Sequence, residues 1–353
     1  MASGLVRLAR AVVPAVGTTI TGVADYLVLL APSANRVYTA GVRDIAAAEL
    51  ALVSPDVTAI EPVTIAGVNY LRFTADDPDV DALSRLSTAF AVFAAEGDLL
   101  RPIELPHTDV FDDDLVSIPK YQGKTNEQFT RLMVNATLSA VRREPPPFSV
   151  LDPLCGRGTT LSTVWTLGHD AAGVDIDLKA VEAYATFLTT YLKRKRISHT
   201  AELSPVRREG RPLGKRLRVT VRPDDARPQD LTVFTGDARD SGALFGKRTF
   251  DAIVTDAPYG VVHGSRTGTA GTAAGRDRSP AGLLQAAVPV WASQLRTGGA
   301  LGIAWNTYGM DRAELSMIAS AAGLQPCPEP GFLGFAHRVD SSIRRDLFVA
   351  RKP

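Results

Sequence analysis

The sequence predicts an α/β protein: a doubly wound, Rossmann-like sheet preceded by a small α+β domain. Three observations carry this. From residue 148 onward, short apolar runs alternate with stretches of helical spacing, the pattern of a parallel sheet with crossover helices. The chain has 353 residues, long for one domain and comfortable for two. Its composition is globular, with 45% hydrophobic and 22% charged residues.

The elements follow in order. Residues 1–23 carry Arg7 and Arg10 and no acid, as a signal peptide would. Pro14, Gly17 and three threonines interrupt the apolar run, so a disordered start is expected. Residues 24–115 read as the small α+β domain. It has a strand at 26–31, a helix at 43–53 and a hairpin at 63–74 turning at Gly67. Leu83, Leu86 and Phe90 give 79–95 helical spacing, and 111–115 reads as an acidic, exposed connector. Thr125 and Gln128 form a capping box for a helix that buries Phe129, Leu132, Met133, Ala136 and Ala140. Pro145, Pro146 and Pro147 end it. That helix belongs to the second domain, 116–353.

In the second domain, strands are expected at 148–151, 171–175, 231–235, 250–255, 300–306 and 345–351. Helices are expected at 159–167, stopped by Gly168, at 178–196 and at 311–323. Val181, Tyr184, Ala185, Leu188 and Leu192 set the inward face of the second of these.

Net charge is +1, yet residues 193–227 hold twelve Lys/Arg against four Asp/Glu. This segment is therefore +8 and the remainder −7. Lys193 to Arg196 end a helical pattern, where cations suit the macrodipole. Arg207, Arg208, Arg211, Lys215, Arg216, Arg218 and Arg222 have no such local reason, and a polyanion-binding surface is the better reading than a merely solvated loop. Two cysteines make neither a disulfide framework nor a cysteine-rich zinc site, which fits a reducing cytoplasm. The five histidines form no metal constellation, so no metal is expected, and no run is long enough to span a membrane.

The chemistry is concentrated at two stretches. D-P-L-C-G-R-G-T, residues 152–159, sits between the first strand of the second domain and its helix. Gly156 and Gly158 let the backbone turn tightly and approach a ligand. Asp175, at the end of the next strand, is placed for a ribose diol, and Asp237, after the third, for an adenine amino group. A dinucleotide or adenosylmethionine would fit such a loop. The first wants a third glycine that is missing here. The other stretch is D-A-P-Y-G at 256–260, an exit from a buried strand through an acid, a proline and an exposed-looking tyrosine.

D-P-L-C-G-R-G-T-T-L resembles the adenosylmethionine loop of nucleic-acid amino-methyltransferases, and D-A-P-Y-G resembles their [D/N]-P-P-[Y/F] catalytic motif. The order of the two, cofactor loop first, matches the branch containing the tRNA guanosine N2-methyltransferases. K-Y-Q-G-K-T-N-E-Q also resembles the segment that precedes the catalytic domain in that branch. The likeness covers residues 118–353. It implies a class I methyltransferase sheet and S-adenosyl-L-methionine as cofactor, held by Asp152, Pro153, Cys155, Gly156, Gly158, Thr159, Asp175, Asp237 and Ala238. It implies that the Asp256 side chain and the Ala257 carbonyl accept the two N–H protons of a base amine. Pro258 would set the backbone, and Tyr259 would stack on the extruded base. The usual proline stands as Ala257 here, which leaves the carbonyl but loses preorganisation. The implied partner is RNA, with tRNA favoured by the basic segment and by the leading domain, where that branch often carries an RNA-binding module. The Gly/Thr/Ala-rich stretch 261–282, with His263 and Arg266, is expected to be a flexible loop, either a lid over the base or plain surface. The rival readings are a DNA adenine-N6 or cytosine-N4 methyltransferase, a silent fold that only binds RNA, and a nicotinamide oxidoreductase.

Overall fold

The structure, a computed structural model, describes residues 24–32, 36–143, 146–208, 211–224, 226–259 and 280–353. The disordered start expected for 1–23, and His263 and Arg266, lie outside these residues. Two sheets organise the chain.

The first sheet has five strands in the order β2-β3-β1-β4-β5. Its elements are β1 (Ala24–Leu30), α1 (Arg36–Val53), β2 (Thr58–Ile65), β3 (Val68–Ala75), α2 (Val80–Arg85), β4 (Ala89–Glu96) and β5 (Leu99–Ile103). The single helix expected at 79–95 is a correction: α2 stops at Arg85 and the chain becomes a strand. Leu83 is buried from the helix, whereas Val92 and Ala94 alternate inward from β4 beside β1. The stretch 111–115 is not an exposed connector either. Phe111 and Leu115 are buried, and Phe111 stacks on Trp165 at 5.7 Å. A short helix α3 (Asp114–Ser117) follows, and α4 (Glu127–Ser139) opens the second unit. Its N-cap is Asn126, which accepts from Phe129 N at 3.0 Å, so Thr125 is released from the expected capping box.

The two units share one hydrophobic core, in which Ile45 and Leu50 of α1 join Phe129 and Leu132 of α4. Buried Glu49 fastens them: it accepts from Ser87 N at 3.0 Å and from Asn135 Nδ2 of α4 at 2.7 Å.

The second sheet has ten strands. In chain order its elements are β6 (Ser149–Asp152), α5 (Thr159–Thr166), β7 (Asp170–Asp175), α6 (Leu178–Arg194), β8 (Ser198–Arg208), β9 (Arg211–Arg222), β10 (Gln229–Thr235), α7 (Ser241–Phe245), β11 (Phe250–Asp256), α8 (Pro280–Gln294), β12 (Leu295–Asn306), α9 (Arg312–Ala321), β13 (Gln325–Pro326), β14 (His337–Arg338) and β15 (Arg344–Arg351). The order is β13-β15-β12-β11-β6-β7-β10-β9-β8, with β14 paired to β15. The five central strands, β10 to β12, are parallel, and β15 is antiparallel. This is a doubly wound, Rossmann-like sheet. One core, with α4, α5 and α6, covers one face, and a second, with α8 and α9, covers the other.

One expectation changes: residues 280–282, expected at the end of the flexible loop, begin α8. Most of the basic segment is the β8–β9 hairpin, which extends the sheet antiparallel to β10. Among the described residues no helix is long and apolar enough to cross a membrane.

Candidate active site

The chain leaves β6 toward β7 and β10 on one side, then returns to β11 and β12 on the other. Strand order therefore reverses between β6 and β11, and ligands of open α/β sheets lie in the crevice at that point, beyond the carboxyl ends of the strands. Both sequence motifs stand there: Asp152 ends β6 and Asp256 ends β11. Thr255 Oγ1 donates to Asp152 Oδ1 at 2.7 Å, so the glycine loop and the D-A-P-Y stretch are tied together one residue before Asp256.

The loop is built by its own backbone. Asp152 also accepts from Leu154 N at 3.0 Å. Pro153 and Cys155 are buried, and Cys155 N donates to Val174 O at 3.0 Å. Burial pushes the Cys155 thiol well up, so it is packing rather than a nucleophile. Gly156 N donates to Asp175 Oδ2 at 2.6 Å, which joins the loop to the acid on β7. Asp175 Oδ1 accepts from Asp177 N at 2.8 Å. Desolvation raises the Asp175 pKa. Gly156 and Gly158 have φ of +51° and +80°. A Cβ on Gly158 would meet the Tyr184 ring, whereas one on Gly156 would point into open space.

Asp237 stands beyond β10 as expected, but its carboxylate is engaged. Oδ1 accepts from Arg239 N at 2.8 Å, and Oδ2 pairs with Arg239 Nη2 at 2.5 Å. The Arg239 hydrogen bonds hold its pKa down. The Ala238 carbonyl accepts from Trp291 Nε1 at 3.0 Å.

At the other motif, Ala257 N donates to Ala304 O at 2.8 Å. A proline there would lose this bond, which is a physical reason for the departure from the usual motif. Ala257→Pro is expected to cost on the order of 1–3 kcal/mol, because the Ala304 carbonyl loses its donor in a fully buried strand. Urea unfolding of the variant checks this. Pro258 is exposed.

Tyr259 is half-buried rather than exposed. Its hydroxyl donates to Asp256 Oδ1, and its ring lies against the Arg345 guanidinium at 5.0 Å. Burial first, and the neighbouring Asp256 charge second, push the Tyr259 pKa well up. Arg345 also lies 4.6 Å from the Phe129 ring. The other Asp256 oxygen accepts from Thr125 Oγ1 at 2.6 Å. Tyr121 is hydrogen-bonded to Thr159 Oγ1 at 2.6 Å, and Arg157 sits 5.1 Å from its ring. The segment 121–125 thus touches both the glycine loop and Asp256. Beside it a cavity of about 390 Å³ is lined by Lys120, Lys124, His337, Arg338 and Arg345. Sequence reasoning missed Thr125, Tyr121 and Arg345 as site residues. Arg345 carries no local signal at all, and Thr125 reads locally as a helix cap.

Asp152 is 2% exposed, and burial lifts its pKa to about 7 against hydrogen bonds that lower it. The folded state then holds a proton that the unfolded chain gives up near the ordinary carboxyl range. Stability from this group is complete below that range and is lost as pH rises toward 7. Relative to Asp152→Asn, the wild type is expected to be more stable at about pH 5 than at about pH 8. Urea midpoints of both proteins at the two pH values measure this.

No protein-family model and no curated protein matches the chain. Solved structures similar to it include TrmN from Thermus thermophilus, 14% identical, with a TM-score of 0.39, 83% of this chain covered and 59% of that one. A second is the magnesium protoporphyrin IX methyltransferase ChlM from Synechocystis, solved with bound SAM, 13% identical, with a TM-score of 0.39 and coverage of 66% and 87%. A third is a TehB-like SAM-dependent methyltransferase from Corynebacterium glutamicum, 16% identical, with a TM-score of 0.32 and coverage of 60% and 83%. Values this low say nothing about the chemistry of the site, which rests on its own geometry. Among the described residues no group of His, Cys, Asp and Glu could hold a metal ion.

Proposed function

We propose that this chain is an S-adenosyl-L-methionine-dependent methyltransferase that acts on an exocyclic base amine in RNA, guanine N2 of tRNA. The carrying observation is the tie between Thr255 and Asp152, which places the glycine loop and Asp256 on either side of the switch point.

The loop suits this cofactor. Open space above Gly156 leaves room for close approach of a ligand. Asp175 offers an acceptor for ribose hydroxyls, fixed by two backbone N–H groups. No third glycine or phosphate cradle is needed, because adenosylmethionine has no phosphate. When bound, the cofactor supplies an electrophilic methyl group on a sulfonium.

The chain's own residues then do the rest. A base amine is a poor nucleophile because its lone pair is delocalised into the ring. Asp256 and the Ala257 carbonyl accept its two N–H protons and turn the lone pair toward the methyl group. The amine takes the place of the Tyr259 hydroxyl on Asp256 Oδ1. The ring thereby released is free to stack on the base. Thr125 keeps the other oxygen fixed.

RNA is favoured over DNA by the basic hairpin and the family resemblance. The leading domain supports it less than the sequence suggested. Residues 24–115 hold sixteen acids against five Lys/Arg, a charge of −11 that repels a phosphate backbone. Labelled cofactor incubated side by side with bulk tRNA and duplex DNA, followed by nucleoside analysis, tests the proposal. Label in N2-methylguanosine is expected. Label only in N6-methyladenine or N4-methylcytosine of DNA would replace RNA by DNA as substrate. Binding of tRNA without any transfer would leave a silent fold.

A further inference from the structure

The basic segment has two unlike faces. Leu217, Val219 and Val221 of β9 are buried against α6, in the core that also packs the acidic leading domain. The alternate residues Arg216, Arg218 and Arg222 point to the opposite face, and Arg218 and Arg222 are exposed. Their cross-strand partners on β8 are Ser204, Glu202 and Ser198, with Thr200 opposite Thr220.

Three other cations of the segment are already used. Lys195 pairs with Asp112 and Asp114, Lys215 with Glu182, and Arg227 with Asp170. By contrast, Arg216 Nε is buried with no partner among the described residues. Arg216 is also level with Phe234, at the end of β10 where Asp237 and the site begin.

We infer that the hairpin face turned away from α6, with Arg216, Arg218 and Arg222, is where the phosphate backbone of a paired RNA stem lies while its target base is in the site. The inference rests on the RNA reading above. Charge complementarity carries it: the arginines stand on the side of the sheet away from the −11 domain. A paired stem is chosen over a single strand because this face offers guanidinium groups beside hydroxyls and the carboxylates Glu202 and Asp230, and the Phe234 ring level with Arg216 is buried, out of reach of a base.

The test compares two triple variants of the full chain. One is Arg216→Ala, Arg218→Ala, Arg222→Ala. The other, Lys195→Ala, Lys215→Ala, Arg227→Ala, removes the same charge from internally paired sites. Affinity for bulk tRNA is measured across a salt series. The first triple is expected to flatten the slope of log affinity against log salt by about 2–3, and the second by less than about 1. Adenosylmethionine binding by calorimetry and the melting temperature of the first triple should match the wild type. Equal flattening by both triples would mean that only net charge matters and would overturn the assignment. A first triple with the wild-type slope would also overturn it. If the wild type binds tRNA with no salt dependence, or does not bind it, the RNA reading fails first. The two failures are therefore distinguishable.

Discussion

Asp256→Ala is expected to lower methyl transfer by ~10²–10³ while adenosylmethionine binding stays at the wild-type level. The size follows from what the carboxylate does. In the proposed mechanism it holds one proton of the amine as the lone pair swings out of conjugation, so its contribution is largest when charge develops, as with a donor in an oxyanion hole. Cofactor binding should be unmoved, because the side-chain hydrogen bonds of Asp256 run to Thr125 and Tyr259, away from the loop at Gly156. Single-turnover transfer gives the rate, and calorimetry gives the binding. Two Tyr259 variants separate the ring from the hydroxyl. Tyr259→Ala removes a stacking surface worth ~1–3 kcal/mol. Tyr259→Phe keeps that surface and removes the hydroxyl that competes for Asp256 Oδ1. It should transfer at the wild-type rate or faster. A slow Tyr259→Phe would show that the hydroxyl is part of the chemistry rather than a placeholder. Wild-type rates in Asp256→Ala would remove the motif from the mechanism.

The site was legible in the sequence where local backbone makes it. The 152–159 loop, Asp175 and Asp256 all follow the ends of short apolar strands, and glycine conformations fix the turn. Residues recruited from afar were not legible. Thr125 reaches Asp256 across more than a hundred residues of chain, and Arg345 comes from β15, an antiparallel strand added beyond β12 near the end of the chain. Local spacing also misled at 79–95. Leu83, Leu86 and Phe90 fit a helix, yet pairing of β4 with β1 wins because it buries Val92 and Ala94 in the shared core. The hairpin was hidden by its charge. L-R-V-T-V-R at 217–222 alternates as a strand should, but its density of arginines is also that of a binding surface. The same alternation is what puts the arginines on one face.

The two glycines of the cofactor loop should respond in opposite ways to the same substitution. Gly158→Ala is expected to destabilise the protein by about 2–5 kcal/mol. Its φ of +80° strains any other residue, and the added carbon would lie 2.5–2.7 Å from Tyr184 Cε2 and Cδ2. That ring is fully buried on α6, with its hydroxyl 3.2 Å from Ser162 Oγ, so it has little room to yield. Moving it would disturb the packing of α5 against α6 beneath the loop. Gly156→Ala meets no such obstacle. Nothing lies within 4 Å of its added carbon, so only the strain of φ +51° remains, about 1–2 kcal/mol. In the proposed reading, however, the open space beside Gly156 is where the cofactor approaches. Urea unfolding should therefore single out Gly158→Ala. Calorimetry on the folded Gly156→Ala protein should show adenosylmethionine affinity falling by tenfold or more, roughly the effect of one displaced contact of ~1.4 kcal/mol. Unchanged affinity in Gly156→Ala would place the cofactor away from this loop, and with it the methyl group away from Asp256.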